Sequence, residues 1–209
     1  MDAVLIKYSD DGKTRVRVYY SECGDSPRNW SNSAHFIMKA PCGDSEDVDG
    51  ELDYLCDKYR IKREQPWLDI IDKLSRYIVI KPICMYSHGG STVYFGVPTD
   101  PWDSGYTGFA YITKDETIKC CPKSKRNWRE RAEEILKGEM ETLDRYVRGD
   151  VYGFIEEKLN EPSDEMKSAP EYDEEWWRDN DENWTETDSC WDFYKDADKL
   201  ADDVLAGAV

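Results

Sequence analysis

Between Glu161 and Val209 the chain sets large rings among carboxylates, and few kinds of structure accommodate both. This segment holds 17 Asp or Glu against 4 Lys or Arg, a net charge of -13, whereas residues 1–160 hold 28 against 24, a net of -4. A purely solvating tail has little to pack with. Here Tyr172, Trp176, Trp177, Trp184, Trp191, Phe193 and Tyr194 supply that apolar surface. The combination predicts an ordered surface of carboxylates. Such a surface can compete with nucleic acid for a basic groove, or it can simply keep a protein in solution.

The rest of the composition narrows the class. A hydrophobic fraction of 39%, with 14 Tyr and 8 Trp, argues against wholesale disorder. A chain of 209 residues suffices for one sizeable core, or for a core plus a small appendage. No stretch approaches the roughly 20 apolar residues that a membrane-spanning helix needs. Met1-Asp2-Ala3-Val4-Leu5-Ile6-Lys7-Tyr8 lacks the basic-then-apolar order of a signal peptide. A cytoplasmic location is therefore expected. The formal charge of -17 disfavours direct contact with nucleic acid or an anionic membrane. The cysteines are Cys23, Cys42, Cys56, Cys84, Cys120, Cys121 and Cys190. Their odd number and the absence of CxxC spacing disfavour a disulfide scaffold or a zinc site, and predict buried free thiols.

Hydrophobic periodicity gives an α+β fold: a mainly antiparallel sheet, flanking helices and the acidic aromatic-rich C-terminal region. Val4–Tyr8 and Arg15–Tyr20 flank Asp10-Asp11-Gly12 as two strands flank a polar turn. Residues 22–50 are turn-rich and predict irregular structure. Helices are expected over Glu51–Tyr59, from near Pro66 with Trp67, Ile70, Ile71 and Leu74 on one side, over Asn127–Val147, and over Asp196–Leu205. Strands are expected at Tyr77–Tyr86, Ser91–Gly96, Thr107–Thr113, Val151–Glu157 and Ser189–Tyr194, with Pro82 at an edge or a bulge. Glu161–Asp173, with Pro162 and Pro170, predicts a surface linker. Two regions follow: an α+β core over 1–160, and an extension over 161–209 packed at least partly on it.

Several segments together resemble a family of small acidic phage or mobile-element accessory proteins of uncertain function. They are Ser26-Pro27-Arg28-Asn29-Trp30-Ser31-Asn32, Tyr86-Ser87-His88-Gly89-Gly90-Ser91, Pro101-Trp102-Asp103-Ser104-Gly105, Gly108–Thr113, Gly149-Asp150-Val151-Tyr152-Gly153-Phe154 and Asp188–Tyr194. They are scattered from residue 26 to residue 194. The chain departs from the family pattern at Ser87, where an acid is expected, and in the length of its acidic stretch Glu161–Glu186. The resemblance implies a viral or mobile-element setting, hence the cytoplasm of a host cell, and carries no chemistry with it.

Catalytic candidates are few. His88 precedes Gly89-Gly90 between two strands, with Cys84 and Asp103 as conceivable partners, which would make a Cys/His/Asp hydrolase site. The competing expectation is a histidine that merely closes a tight loop. In Trp102-Asp103-Ser104-Gly105, Asp103 is expected to accept backbone hydrogen bonds and Trp102 to cover a sheet edge. No phosphate loop, GxGxxG or calcium loop is present. With only His35 and His88 in the chain, no histidine-rich metal centre can form, and no metal or cofactor is expected. Of the basic runs Arg60–Arg63 and Lys123–Arg126, the second, extended by Arg129 and Arg131, is followed closely by Glu130, Glu133 and Glu134 and reads as a solvated helix.

The functional expectation is therefore an inhibitor or decoy in preference to an enzyme. Its partner would be a host defence protein, such as a CRISPR effector or restriction enzyme, with a basic nucleic-acid-binding groove. The expected contact set is Glu171, Asp173, Glu174, Glu175, Trp176, Trp177, Asp179, Asp181, Glu182, Trp184, Glu186, Asp188 and Asp192. The alternatives are the small hydrolase built on His88, Cys84 and Asp103, and a non-catalytic structural or interaction protein.

Overall fold

The computed structural model describes residues 2–22, 24–39 and 47–209. Its elements run β1 (Leu5–Tyr8), β2 (Thr14–Tyr20), β3 (His35–Met38), α1 (Val48–Tyr59), α2 (Trp67–Leu74), β4 (Val79–Ser87), β5 (Ser91–Phe95) and β6 (Ser104–Ile112). They continue as α3 (Lys114–Cys120), α4 (Trp128–Arg148), β7 (Tyr152–Leu159), α5 (Asp164–Lys167), α6 (Glu174–Asp179), β8 (Trp184–Phe193) and α7 (Ala197–Leu205). The fold is α+β, with two four-stranded antiparallel sheets among the described residues. Two compact units divide the chain: residues 1–24 with 150–209, and residues 25–149.

The first unit is built on the sheet β1-β2-β7-β8. Ser9–Lys13 turns β1 into β2: Asp11 Oδ1 accepts from Ser9 Oγ at 2.7 Å and from Lys13 N at 3.0 Å, and Gly12 takes φ +65°. The alternation of β2 places Val16 and Val18 beside Phe154 and Tyr152, beneath Leu200, Ala201 and Val204 of α7. Asp196 caps α7 through Asp198 N, and Lys7 Nζ of β1 reaches Asp198 and Asp202 at 2.9 and 2.8 Å. Carboxylates thus fasten this helix to its sheet. The outer strand β8 is out of step with β7 in two places: Thr187 is extra at the first, and at the second Trp191 and Asp192 together face Gly153 alone. At the second bulge Asp192 adopts φ +68° and Trp191 lies over Gly153, where a Cβ would stand 2.0 Å from the ring.

The second unit has a sheet ordered β3-β6-β4-β5 and covered on both faces. Ala132, Leu136, Met140 and Leu143 of α4 pack on Phe36, Met38, Ile83, Val93, Ala110 and Ile112. On the other face Leu52, Leu55 and Cys56 of α1 and Ile70, Ile71 and Leu74 of α2 meet Ile80, Phe109 and Tyr111. Two-sided cover explains why β6 is buried without alternation from Thr107 to Ile112. Pro82 lies in a strand with neighbours on both sides, not at an edge: it stands opposite Phe109 of β6, and Gly96 N, just past β5, donates to Pro82 O at 3.4 Å. A register shift follows at Ile83/Cys84.

Several elements differ from expectation. The stretch 22–50 contains β3, which pairs with β6 over four residues. α3 follows Thr113, whose side chain and that of Glu116 form a reciprocal capping box. β8 begins at Trp184, five residues before the strand expected at Ser189. Residues 161–173 run over the surface, with one helical turn in α5. The expected boundary at 160/161 falls between β7 and β8, neighbours in one sheet. The units divide instead at 24/25 and 149/150, because the N-terminal hairpin pairs with the C-terminal strands. Charge density marks composition, and strand pairing ignores it. No helix among the described residues is long and apolar enough to cross a membrane.

Candidate functional site

The acidic segment owes its order to its tryptophans. Trp177 is buried, and its Nε1 donates to Asn160 O at 2.9 Å. Trp184 is buried too, and its Nε1 donates to Arg178 O at 2.7 Å. Asn183 Nδ2 returns to Trp177 O at 2.9 Å. The Trp184 ring lies 4.4 Å from the Arg15 guanidinium and meets Tyr8 edge-on at 5.9 Å. Of the tryptophans expected to touch a partner, Trp177 and Trp184 are therefore internal, and Trp176 is 59% exposed.

Asp181 is held by two arginines. Arg15, only 3% exposed, binds Glu157 Oε2 at 2.7 Å and Asp181 Oδ1 at 2.7 Å. Arg17 binds Glu157 at 3.0 Å and also pairs with Asp181. The hydrogen bond from Arg15, with both positive charges nearby, keeps the Asp181 carboxyl below its ordinary range. Asp181 thus ties the segment to β2 while its carboxylate stays exposed. Asp192 Oδ1 accepts from Ser21 Oγ at 2.5 Å, which fixes the second bulge. Asp173 caps α6 through Glu175 N, Glu186 accepts from Ser189 Oγ, and Asp188 accepts from Ser189 N.

The remaining carboxylates point outward. Glu171, Glu174, Glu175, Asp179, Glu182, Glu186 and Asp188 are all exposed, on α6, β8 and the turns beside them. Glu174 reaches Arg178 at 3.5 Å, a weak exposed pair. The arrangement can present negative charge on a fixed backbone. The part that Arg15 and Arg17 play lay beyond sequence reasoning: β2 alternates, but nothing local assigns the charges on its second face to a partner more than 160 residues away.

The hydrolase candidates come together only in part. His88 Nδ1 lies 3.0 Å from Asp103 Oδ2, at the tip of the β4–β5 hairpin, where Ser87 N also donates to Asp103 O at 2.9 Å. Cys84 is fully buried, its Sγ donates to Gly96 O at 3.4 Å, and burial pushes its thiol up. It lies four residues from His88 along the strand, on the order of 13 Å. Cys84 therefore does not reach His88. In the neighbouring loop Asp100, not Asp103, accepts the backbone hydrogen bonds, from Trp102 N at 2.8 Å and Asp103 N at 2.9 Å. Trp102 covers no sheet edge: it is 91% exposed.

The basic runs are partly engaged. Arg63 pairs with Asp49 and Asp53. Arg129 donates to the carbonyls of Ser75, Arg76 and Ile78, closing the end of α2. The thiols divide: Cys56 and Cys84 are buried as expected, Cys120 and Cys190 are exposed and Cys121 is half-buried, while Cys23 and Cys42 lie outside the described residues. Among the described residues no three His, Cys, Asp or Glu side chains are placed to hold a metal ion. Comparison with protein-family models, curated proteins and solved structures finds no match to this chain.

Proposed function

We propose that this protein binds a basic, nucleic-acid-handling surface on a host defence protein and inhibits it by occupying that surface with carboxylates. The observation that carries this reading is the exposed acidic row of α6 and β8, held on a scaffold by the buried Trp177 and Trp184. A groove that binds duplex DNA must offer cations to about one phosphate charge per 1.7 Å of axis. Carboxylates fixed in place meet such cations without the ordering cost of a flexible tail. Glu174, Glu175, Asp179, Glu182, Glu186 and Asp188 form the contact set, with Trp176 as an exposed apolar anchor beside them. The inhibitory setting rests on the resemblance to phage and mobile-element proteins; the acidic surface bears on the partner's chemistry.

The test is capture of partners from a host lysate by the native chain and by a variant with Glu174→Gln, Glu175→Gln, Asp179→Asn and Glu182→Gln. Asp181 is left intact because it holds the fold. A nucleic-acid-binding partner should be retained by the native chain, lost at raised salt, displaced by added nucleic acid, and bound at least about tenfold more weakly by the variant. Equal affinity for the variant, with its fold verified, would exclude charge-based recognition.

A further inference from the structure

The end of α3 sets two thiols side by side. The helix stops at Cys120, and Cys121 leaves it with φ -130° and ψ 76°. Cys121 O is then held by Ser124 N at 3.0 Å and Ser124 Oγ at 2.6 Å, which fixes the turn. The two Sγ atoms are 3.7 Å apart. From α4, Arg131 Nε donates to Cys121 Sγ at 3.3 Å, and Arg131 NH1 reaches Glu134 at 2.7 Å. Cys121 opens into a depression of about 480 Å³ walled by Pro122, Lys123, Ser124, Asn127 and Arg131. Its only charged walls are positive.

These surroundings separate the two thiols. The Arg131 hydrogen bond, aided by the thiol of Cys120, draws Cys121 below its ordinary value. Burial pushes Cys120 the other way. The groups facing Cys121 are Arg131 and Glu134 of α4 and the neighbouring Cys120, and of these only Glu134 opposes its ionisation. A thiolate is the species that attacks disulfides, and an accessible one beside a cation is the usual seat of such chemistry. Cys190, exposed like Cys120, stands on β8 between Glu186, Asp188 and Asp192, in a field that repels anions.

We propose that Cys121 is a thiol–disulfide exchange site for a small anionic disulfide of the glutathione type, and that it keeps the incoming half as a mixed disulfide. The Cys121 thiolate attacks one sulfur of the disulfide. The old S–S bond breaks, a Cys121–sulfur bond forms, and the second sulfur leaves as a thiolate that takes its proton from water. No further oxidant is needed. Lys123 and Arg131 face the carboxylates of the bound half. Cys120 does not displace it readily. Adjacent Cα atoms stand about 3.8 Å apart, short of the roughly 4.4 Å at which unstrained disulfides begin, so closing a Cys120–Cys121 bridge would strain the backbone.

The experiment treats the reduced full-length chain with glutathione disulfide, or with uncharged hydroxyethyl disulfide, and locates each adduct by peptide mapping. Cys121 should react first with glutathione disulfide. Cys120→Ser should keep the adduct and Cys121→Ser should lose it. Lys123→Gln should slow glutathione disulfide and leave the neutral reagent's rate unchanged. In Arg131→Gln, each unit of thiol pKa regained costs about tenfold in thiolate at lower pH, offset about threefold by higher nucleophilicity. The rate at neutral pH should therefore fall, by about threefold for each unit regained, and the pH midpoint for alkylation of Cys121 should rise. Arg131 is half exposed, so this variant should fold, which circular dichroism checks. First reaction at any other cysteine, equal charge preference in Lys123→Gln, an unmoved midpoint, or a Cys120–Cys121 disulfide as end product would overturn the assignment.

Discussion

The two units solve the same problem with different materials. Residues 1–24 and 150–209 carry 24 acids against 9 bases, a net of -15, while residues 25–149 carry 21 against 19, a net of -2. The nearly neutral unit buries its sheet on both faces, under α4 and under α1 with α2. The acidic unit has one apolar face, under α7. Its second face is held by Arg15, Arg17, Glu157 and Asp181, with Trp184 laid over Arg15. Where the surface is given over to charge, ion pairs and indole rings replace a second apolar layer. Strength in the first unit then depends on electrostatics, and in the second on packing.

Truncation inside the two-faced sheet should have the largest effect. Phe109→Ala removes a fully buried ring and should destabilise the second unit by about 4 kcal/mol in urea unfolding. Hydrogen exchange should quicken in β4 and β6. Comparable quickening in β2 and β7 would show that the units do not differ as described. Arg15→Ala should come next, at about 2 kcal/mol, because it removes a buried charged partner of Glu157 and leaves Arg17 alone to hold that carboxylate. Here β2 and β7 should lose protection. High salt should reproduce little of this loss, since buried pairs are weakly screened.

Acidity should separate the units further. Asp181 titrates below its ordinary value in the folded state, so its contribution is full above that value and is lost as pH falls through the folded pKa. Acid unfolding of the first unit should thus begin below about pH 4, and Asp181→Asn should flatten that part of the curve. Glu139 has the opposite sign: burial raises its carboxyl, despite hydrogen bonds from Ser33 N and Ala34 N. Its ionisation costs the second unit stability as pH rises through the ordinary glutamate value, and Glu139→Gln should remove that slope. The smallest change belongs to His88→Ala. An exposed pair with Asp103 should be worth no more than about 0.5 kcal/mol, and partner binding should be unaltered. Loss of activity in a folded His88→Ala protein would restore the hydrolase alternative.

The sequence announces those elements whose burial is one-sided. α2, α4 and α7 carry stripes that the structure buries, whereas β2, alternating in sequence, is buried on both faces through Arg15 and Tyr19 as well as Val16 and Val18. β3 spans four residues and has no room to show a period. α3 buries only Thr117 and so lacks a stripe, although the Thr113-to-Glu116 spacing of a capping box was present to be read. β8 is exposed at most positions and shows no alternation. The acidic surface was visible in composition alone. Which acids pair within the protein was not, because Asp181, though exposed, meets cations on β2, and that pairing exists only once β2, β7 and β8 lie side by side.

The two irregularities of β8 also bear on self-assembly. An outer strand with free backbone groups invites another copy to add to the sheet. Here an incoming strand would find its hydrogen-bond ladder broken at Thr187 and again at Trp191–Asp192. It would also have to bring its own carboxylates against Glu186 and Asp188. The edge that displays the charge is thereby a poor template for strand addition.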